Sequence, residues 1–401
     1  MKTMKKALII GCGVAGPAAA LFVKRAGFEP IVFEAMREHD DYAGLFLNVG
    51  RNGLRVLEEL GVNGSLIAEG FEMRVMSFRS ASGKWLGNVG TKEAEPHGVT
   101  VKRSLLHRVL REEAQRQGIP IELGKKLVKV QMTSDQVIVH FQDGTSATGD
   151  FLIGCDGIHS KSRSILLPNA AQPSYTGLIS FGGFARSKEL VPEPGVQQMV
   201  FGKKAFFGYL VKEDGEIYWF GNMNMPGTPT RKDLQSIPAS EWRQTITELY
   251  RRDPSPIPDI IRRTEDEIGL YPIYDMLTQP EWHSGKAVWI GDAIHAVSPN
   301  GGQGASLALE DAFVLAKCLR DMDDFDKAFA RFQMLRQERV ERIVRYSRMI
   351  GQRKHATNPV QVFFRDLMLP HFLKTSSKQS LSWMYDYRID WNEKIPTLGE
   401  R

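Results

Sequence analysis

The feature that most constrains this chain is a glycine pattern close to its N-terminus. Residues 4–23 read MKKALIIGCGVAGPAAALFV, so a short apolar run precedes a GxGxxG and a helix-compatible stretch. In a βαβ unit the first glycine permits a tight turn, the second admits a pyrophosphate, and the third lets helix and strand pack closely. The helix N-terminus then offers free N–H groups to phosphates. The residues predicted to contact a dinucleotide here are Gly11, Gly13, Val14, Ala15 and Gly16.

The same stretch also has the outline of a secretory signal peptide, because Lys5 and Lys6 precede an apolar run that ends in small residues. The residues that follow favour the dinucleotide interpretation. Residues 30–33, PIVF, are typical of a second buried strand, and this strand ends at Glu34. An acidic residue about 20 residues after the glycines is expected to bind a ribose hydroxyl. A processing segment has no need of a matching strand and a terminal acid.

Composition indicates a globular chain that contains a large core. The 401 residues are 42% hydrophobic and 25% charged, which predicts two subdomains. The three cysteines, Cys12, Cys155 and Cys318, are widely spaced and include no CxxC pair. Neither a disulfide framework nor a metal site is therefore expected, and we expect a reducing, cytoplasmic location. No later stretch approaches the roughly 20 uninterrupted apolar residues of a membrane span, so no membrane role is expected.

Two further strand ends carry candidate binding residues. The apolar run 151–155 ends in Asp156-Gly157, with Arg163 shortly after, although Asp-Gly alone is also common in ordinary turns. The run 288–290 leads into Gly291-Asp292, at the end of a strand where open α/β sheets bind ligands. The glycine-rich residues 299–304 then open directly into a helix. Such a loop can lie against a planar ring and direct its amides at an electron-rich carbonyl.

These three motifs, in this order and over most of the chain, resemble those of the single-component (class A) flavoprotein monooxygenases. That group contains para-hydroxybenzoate hydroxylase, salicylate hydroxylase and the tetracycline-inactivating monooxygenases. The resemblance implies that the first glycines and Glu34 hold the ADP half of FAD. It also implies that Asp156-Gly157 and Arg163 serve both FAD and the nicotinamide donor, and that Gly291-Asp292 binds the ribityl chain. The loop implied to lie beside the isoalloxazine comprises Pro299, Gly301, Gly302, Gln303, Gly304 and Ala305.

Two arginines extend the resemblance, and two positions depart from it. Arg103 matches an arginine that reaches the flavin side of the cofactor, and Arg37 is a weaker match. Where many members have Pro-Asn before the second helix, this chain has Arg51-Asn52. The Asn often found after the glycine-rich loop is Ser306 here. Both departures lie where contacts on the substrate side could differ.

The resemblance implies an α/β fold: a Rossmann-like FAD-binding domain with a parallel sheet, an antiparallel-sheet substrate domain and C-terminal helices. The aromatic, alternating stretch from Tyr175 to about Met225 independently predicts the antiparallel sheet. We expect residues 1–72, 100–173 and 280–325 to form the FAD-binding domain. Residues 73–99 and 174–279 are expected to form the substrate-binding sheet, and residues 326–401 a C-terminal helical segment.

The implied reaction begins with reduction of FAD by transiently bound NADPH or NADH. Oxygen then adds to give a C4a-hydroperoxide, whose distal oxygen passes to an aromatic or polyketide-like small molecule. No second GxGxxG follows a strand, which suits a single-cofactor layout. Two alternatives remain open: a flavin reductase or oxidase without oxygen insertion, and a non-catalytic FAD-binding sensor. The Trp-x-Trp-x-Ile-Pro stretch usual in flavin-dependent halogenases is absent.

No catalytic residue is assigned from the sequence. His295 lies in the Gly-Asp motif, and a structural hydrogen bond is the preferred role for it. Arginines recur every third residue from 336 to 348, but steps of three drift around a helix, so no nucleic-acid stripe is expected. The apolar stretch 360–373 is predicted to pack back across both domains. The chain is expected to be a monomer or a homodimer. Sheet aromatics that could line a cavity, about half of them being core, are Phe184, Phe206, Phe207, Tyr209, Tyr218 and Trp219.

Overall fold

Two large sheets organise the computed structural model. It describes residues 4–38, 44–265, 267–276, 279–353, 364, 366–371 and 381–396. The strands in chain order are β1 (Lys6–Ile10), β2 (Glu29–Phe33), β3 (Phe46–Gly50), β4 (Phe71–Met73), β5 (Val75–Arg79), β6 (Trp85–Val89), β7 (Gly98–Lys102), β8 (Ile121–Glu122), β9 (Leu127–Met132), β10 (Val137–Phe141), β11 (Ser146–Gly149), β12 (Phe151–Gly154), β13 (Ser174–Arg186), β14 (Val196–Phe201), β15 (Phe206–Val211), β16 (Glu216–Asn224), β17 (Gly269–Asp275), β18 (His283–Ser284) and β19 (Ala287–Trp289).

Helices surround these sheets and dominate the last quarter of the chain. In chain order they are α1 (Ala15–Arg25), α2 (Arg51–Glu59), α3 (Asn63–Glu69), α4 (Arg103–Arg116), α5 (Lys161–Leu166), α6 (Arg231–Ser236), α7 (Ala239–Tyr250), α8 (Ile257–Arg262), α9 (Asp292–His295), α10 (Gly304–Asp321) and α11 (Phe325–Arg353). Pro299–Gly301 forms a 3-10 turn, and Ser382–Tyr385 is a further short helix.

A six-stranded sheet in the order β18-β19-β12-β1-β2-β8 contains the N-terminal glycine motif. Strands β19, β12, β1, β2 and β8 run parallel, and the short β18 pairs antiparallel at one edge. Helix α1 packs against α10 over one face, where the rings of Phe22 and Phe313 lie 4.6 Å apart. Its small residues Ala18, Ala19 and Ala20 are fully buried, which allows this close approach. The predicted parallel-sheet domain is confirmed.

The second large sheet has seven strands in the order β17-β13-β16-β15-β14-β5-β6. All its neighbours pair antiparallel except β14 and β5, which pair parallel. Its outer face packs on α7 and α8, where Phe207, Tyr209 and Trp219 join one apolar core. Its opposite face, called the inner face here, carries Phe206 and Tyr218. All six sheet aromatics therefore join apolar core clusters, which is more than the half expected from the sequence.

Helix α11 uses its arginines for contacts within the chain. Arg336 pairs with Glu310 and Asp311, whereas Arg348 pairs with Asp275 on β17. Arg342 lies 3.9 Å from the centroid of the Trp383 ring. These partners lie in different parts of the fold, which agrees with the drift expected for steps of three residues.

The C-terminal tail lies only partly within the described residues. Residues 366–371 are helical, and Leu369 packs against the aromatic cluster of the inner face. Residues 360–363, 365 and 372–373 of the predicted packing stretch lie outside the described part of the chain. In the part of the chain that the structure describes, no helix combines the length and apolarity needed to cross a bilayer.

Candidate FAD site

Four neighbouring parallel strands deliver the sequence motifs to one edge of the six-stranded sheet. Strands β19, β12, β1 and β2 are consecutive in the sheet order. Their C-terminal ends are followed by Gly291-Asp292, Asp156-Gly157, the glycine turn 11–16 and Glu34, respectively. Residues separated by up to 280 positions along the chain therefore share the edge at which open α/β sheets bind ligands.

The glycine turn has the close contacts that its pattern predicts. A Cβ on Gly16 would lie 1.9 Å from the Gly11 carbonyl oxygen, so no larger residue fits between helix α1 and the turn. Gly11 has φ +105° and lies against the Cys155 carbonyl, which joins the turn to strand β12. A Cβ on Gly13, in contrast, would meet nothing within 4 Å. Gly13 thus borders open space where a pyrophosphate could approach.

Glu34 directly follows strand β2, and its carboxylate is turned towards the glycine turn. It accepts hydrogen bonds from the backbone N–H of Cys12 at 2.8 Å and of Met36 at 2.9 Å. Burial and the negative charge of Glu34 raise the pKa of the Cys12 thiol to about 12, so that thiol stays protonated at neutral pH. Arg37 is exposed nearby, and its Cγ lies 3.7 Å from the Cβ position of Gly124.

Asp156 and Arg163 both organise the second motif from within the protein. The Asp156 carboxylate accepts from the Ser160 hydroxyl at 2.6 Å and from the Ser162 N–H at 2.8 Å, which ties it to the start of α5. Arg163 is 1% exposed and donates to the backbone carbonyls of Ile158, at 2.9 Å, and Ala293. Arg163 therefore links the second motif to the third. A Cβ on Gly157 would meet nothing within 4 Å, so this glycine also borders open space.

The third motif places an acidic side chain at the same sheet edge as the open space beside Gly13 and Gly157, and this edge is called the groove here. Asp292 is exposed at the start of α9, yet desolvation by surrounding protein raises its pKa against the opposing charges of His295 and Arg103. Arg103 is exposed at the start of α4, and its Nε lies 3.3 Å from His107 Nε2. The Asp292 carboxylate and the Arg103 guanidinium are thus both exposed, and their opposite charges interact.

Asp311 of α10 is buried and hydrogen-bonds the backbone of the third motif from inside the protein. Its fully buried carboxylate accepts from the Gly291 N–H at 2.9 Å and from Arg336 Nε at 2.8 Å, and it also contacts His295 Nε2. Burial raises the pKa of Asp311, but the charges of His295 and Arg336 outweigh it and lower the net pKa. The structural hydrogen bond predicted for His295 is confirmed.

The glycine-rich loop packs closely between helix α11 and strand β3. A Cβ on Gly301 would lie 2.0 Å from Ser347 Oγ of α11, and one on Gly302 would lie 3.0 Å from Asn48 Nδ2 of β3. Gly302 adopts the left-handed conformation, with φ +61°. The flanking Pro299 is exposed, and Gly304 and Ala305 are half-buried at the beginning of α10. The loop therefore presents mainly backbone to the groove.

Gln303 is the exception within this loop, because its side chain is fully buried. Its Oε1 accepts from Asn52 Nδ2 at 3.0 Å, and Asn52 also donates to Glu310 Oε1 at 2.6 Å. Ser306 Oγ accepts from the Gly50 N–H at 2.9 Å. Asn52 and Ser306, which stand at or beside the two departures from the family pattern, thus support the loop internally.

Sequence reasoning missed this supporting network. Its main members are Asn52, Glu310, Asp311, Arg336 and Arg339. The sequence does contain a signal for this network. Glu310 and Asp311 are adjacent carboxylates on α10, and Arg336 and Arg339 are three residues apart on α11. The pairing of these groups, however, depends on how α10 and α11 cross, which periodicity does not reveal.

Strand β3 connects this site to the inner face of the seven-stranded sheet. The Phe46 ring centroid lies 5.3 Å from Tyr218 and 6.0 Å from Phe220, whereas Asn48, two residues later, contacts the loop at Gly302. Phe220 lies across Gly208, whose Cβ would approach its ring to 2.3 Å. An aromatic surface therefore adjoins the glycine-rich loop.

The observed residues suit an FAD whose ADP half lies over the glycine turn. Gly13 and Gly157 leave room for the backbone to approach phosphates, and Glu34 ends the strand that follows α1. Asp292 remains exposed at the groove. This arrangement of strands, glycines and acids defines a flavin-binding protein of the doubly wound α/β class.

Comparison with known proteins agrees with this class. Residues 4–324 match the model of the FAD binding domain family. The chain belongs to that family and is a class A FAD-dependent monooxygenase. It is 30% identical over 386 residues to an aurachin C monooxygenase/isomerase of Stigmatella aurantiaca, covering 92% of this chain and 94% of that protein. It is 27% identical to an FAD-dependent urate hydroxylase of Klebsiella oxytoca, covering 84% and 88%, respectively.

Solved structures share the fold. Klebsiella pneumoniae HpxO in complex with FAD and uric acid superposes with a TM-score of 0.81 at 23% identity, covering 93% of this chain and 96% of that one. The tetracycline destructase Tet(55) superposes with a TM-score of 0.71 at 20% identity, covering 94% and 98%. The predicted α/β architecture with its antiparallel sheet and C-terminal helices is thereby confirmed.

Proposed function

We propose that this protein hydroxylates an aromatic or polyketide-like small molecule, with NADPH or NADH as the transient electron donor and O2 as the oxygen source. The observation that carries the proposal is the convergence of four strand-end motifs at one sheet edge, beside an aromatic inner face. Similarity to a urate hydroxylase, a 6-hydroxynicotinate 3-monooxygenase and a tetracycline destructase supports a planar substrate.

The proposed FAD contacts follow the groove from the ADP half to the flavin. Bound FAD would supply the redox chemistry, which comprises two-electron reduction, oxygen activation and transfer of one oxygen atom. Backbone at Gly13 and Gly157 would approach the phosphates, and Glu34 would accept from a ribose hydroxyl. The residues proposed to contact or border FAD are Gly11, Gly13, Val14, Ala15, Gly16, Glu34, Arg37, Arg103, Asp156, Gly157, Gly291, Asp292, Pro299, Gly301, Gly302, Gly304 and Ala305.

In this proposal, two of the residues expected to contact the cofactor instead support the site from inside the protein. Both side chains are buried: Arg163 donates to the Ile158 carbonyl, and Gln303 Oε1 accepts from Asn52. Arg163 would hold the second and third motifs together, and Gln303 would hold the flavin loop. Each acts as a positioning residue, since productive geometry depends on sub-ångström placement of the bound partners.

The chain's own residues would orient the substrate and limit the access of water. The loop 299–304 presents backbone amides at the N-terminus of α10, where developing negative charge is stabilised. Phe46 and Phe220 offer flat apolar surface next to that loop. Apolar walls favour a planar ring and exclude competing solvent. We also propose a cytoplasmic location and a monomeric or homodimeric state.

The deciding experiment measures NAD(P)H consumption, peroxide and product together. Purified holoenzyme is mixed with NADPH or NADH, ¹⁸O2 and a panel of phenols, hydroxypyridines, purines, quinolones and tetracyclines. We expect one compound class to accelerate NAD(P)H oxidation at least tenfold and to gain one ¹⁸O atom, as detected by mass spectrometry. A Gly13→Ala variant that does not retain FAD serves as the control for non-enzymatic oxidation.

Two results would contradict the proposal in different ways. Substrate-independent NAD(P)H consumption with stoichiometric peroxide and no labelled product would indicate a flavin reductase or oxidase. A yellow protein that consumes neither NADPH nor NADH with any compound would indicate an FAD-binding sensor.

A further inference from the structure

Asn52, the second residue of α2, joins the buried charges of α10 to residues 299–304, which are called the flavin loop here. The Asn52 side chain is buried, with 1% of the residue exposed. Its Nδ2 donates to Glu310 Oε1 at 2.6 Å and to Gln303 Oε1 at 3.0 Å. A single amide group therefore connects a buried carboxylate to the buried side chain of the flavin loop.

The carboxylate at the far end of this connection is firmly held. Arg339 donates to both oxygens of Glu310, at 2.9 and 2.8 Å, and Arg336 forms an ion pair with it at 2.7 Å. Charge-assisted contacts of this kind are stronger than neutral ones. Glu310 thus has a defined position between α10 and α11, and Asn52 transmits that position to Gln303.

Gly50, the last residue of β3, leaves the space that the two amides occupy. A Cβ on Gly50 would lie 2.5 Å from Asn52 Oδ1 and 2.8 Å from Gln303 Nε2, and both distances are shorter than a Cβ tolerates. The backbone of Gly50 is extended, with φ −65° and ψ 161°, a conformation that any residue adopts. Glycine is therefore needed at this position for space and not for its backbone freedom.

Gln303 is placed where its orientation matters most to the flavin loop. It lies between Gly302 and Gly304, and glycine lets a backbone adopt many conformations. It is also the residue directly before α10, and its carbonyl accepts from the Leu307 N–H at 2.9 Å. Fixing the Gln303 side chain therefore fixes both the peptide groups of the loop and the N–H groups at the start of α10.

We propose that Asn52 is a positioning residue for the flavin, acting through Gln303 in the space that Gly50 leaves. This inference rests on the proposed position of the flavin beside residues 299–304. Aligned N–H groups stabilise the negative charge that a flavin gains on reduction, and small misplacements of such groups are costly. Loss of the amide contact should therefore weaken FAD binding and make the midpoint potential of the flavin more negative.

The first test compares Gly50→Ala with Gly64→Ala. The second variant adds the same methyl group at an exposed position of α3, where no atom lies within 4 Å of the new Cβ. For each purified protein, three properties are measured without substrate or NAD(P)H. These are the FAD dissociation constant, the shape of the flavin absorption bands and the midpoint potential of the bound flavin. Thermal unfolding of the apoprotein reports separately on folding.

We expect Gly50→Ala to weaken FAD binding by about three- to tenfold, the range for loss of one neutral hydrogen bond. Its flavin bands should change, and its midpoint potential should be more negative than that of the wild type. The Gly64→Ala protein should match the wild type within about twofold. Unchanged bands and potential in Gly50→Ala would overturn the inference, even with weaker binding, because a purely structural defect would give that result.

A second set of variants tests whether the effect passes through the amide contact. Asn52→Leu keeps the branched shape of the side chain but donates no hydrogen bond, so it should reproduce the flavin changes of Gly50→Ala. The double variant Asn52→Leu/Gln303→Ala should bind FAD no more weakly than Gln303→Ala alone. Additive losses would overturn the inference, even if Gly50→Ala proves unstable.

The failure of this inference is distinguishable from that of the proposed function. A wild-type protein that does not bind FAD would contradict both. Normal FAD binding with the expected variant effects, but with no oxygen transfer to any compound, would support the role of Asn52 and contradict the proposed function alone.

Discussion

Arg336 donates from Nε to the Asp311 carboxylate over 2.8 Å, and both side chains are fully buried. The same carboxylate accepts from the backbone N–H of Gly291, the residue directly before the exposed Asp292. An ion pair between α10 and α11 therefore fixes the turn that carries the proposed ribityl contact. The buried ion pair of Arg336 and Asp311 therefore supports the site from inside the protein.

Removing the cation of this pair should strongly destabilise the protein. We expect Arg336→Met to lower the free energy of unfolding by about 3–5 kcal/mol, because Asp311 would keep a buried and undercompensated charge. Urea unfolding of the apoprotein measures the change. Arg345→Met is the matched control, since Arg345 is exposed and lies 3.8 Å from Glu341. It should cost no more than about 0.5 kcal/mol, and equal losses in the two variants would contradict this account.

Two glycines of the same turn should respond differently to the same added methyl group. Gly16→Ala would place Cβ 1.9 Å from the Gly11 carbonyl oxygen, so we expect the apoprotein itself to be destabilised. Gly13→Ala meets no protein atom within 4 Å, so the apoprotein should unfold at nearly the wild-type temperature while FAD binding is lost. Differential scanning calorimetry and flavin fluorescence titration measure the two effects. Normal FAD affinity in Gly13→Ala would argue against a phosphate at this position.

Neutralising Glu34 should weaken FAD binding more than it affects folding. The substitution Glu34→Gln keeps one amide oxygen for the Cys12 N–H but removes the charge offered to a ribose hydroxyl. Hydrogen bonds to charged groups contribute about 1.5–3 kcal/mol, so the FAD dissociation constant should rise by roughly 10- to 100-fold. Glu29→Gln, at the exposed start of the same strand, is the control and should change the constant by less than about twofold. Equal constants for the two variants would remove Glu34 from the site.

His97 should make the stability of the protein depend on pH in a defined window. Burial first, and then the charge of Arg51, lower the pKa of His97, although Asp386 opposes this. The unfolded chain therefore binds the proton more readily, so stability is greatest above about pH 6.5 and falls as the pH drops below it.

The variant His97→Gln should lose this part of the pH dependence. Unfolding free energies at pH 8 and pH 5.5 should differ less for the variant than for the wild type. His140→Gln, at a half-buried position on β10, provides the comparison and should leave the wild-type difference unchanged. A variant His97→Gln with the wild-type difference would show that His97 is not the responsible group.

Much of the fold could be predicted because the relevant patterns are local. The spacing of Gly11, Gly13 and Gly16 after an apolar strand specifies a turn that has no room for a side chain at Gly11 or Gly16. Alternation of aromatic residues between Tyr175 and Met225 indicated a sheet with two faces, and the faces are observed. Backbone conformation depends mainly on a few neighbouring residues, so such patterns are readable without a structure.

What only the tertiary structure decided is which side chains meet across the chain. Asn52 reaches Gln303 and Glu310 across about 250 positions, and Arg163 reaches the carbonyl of Ala293 across 130. The sequence alone indicated, to within one residue, where the four strands that carry the motifs end and that glycine turns or acidic residues follow them. Tertiary packing decided that Arg163 and Gln303 point into the protein, because buried polar groups take the partners that packing supplies.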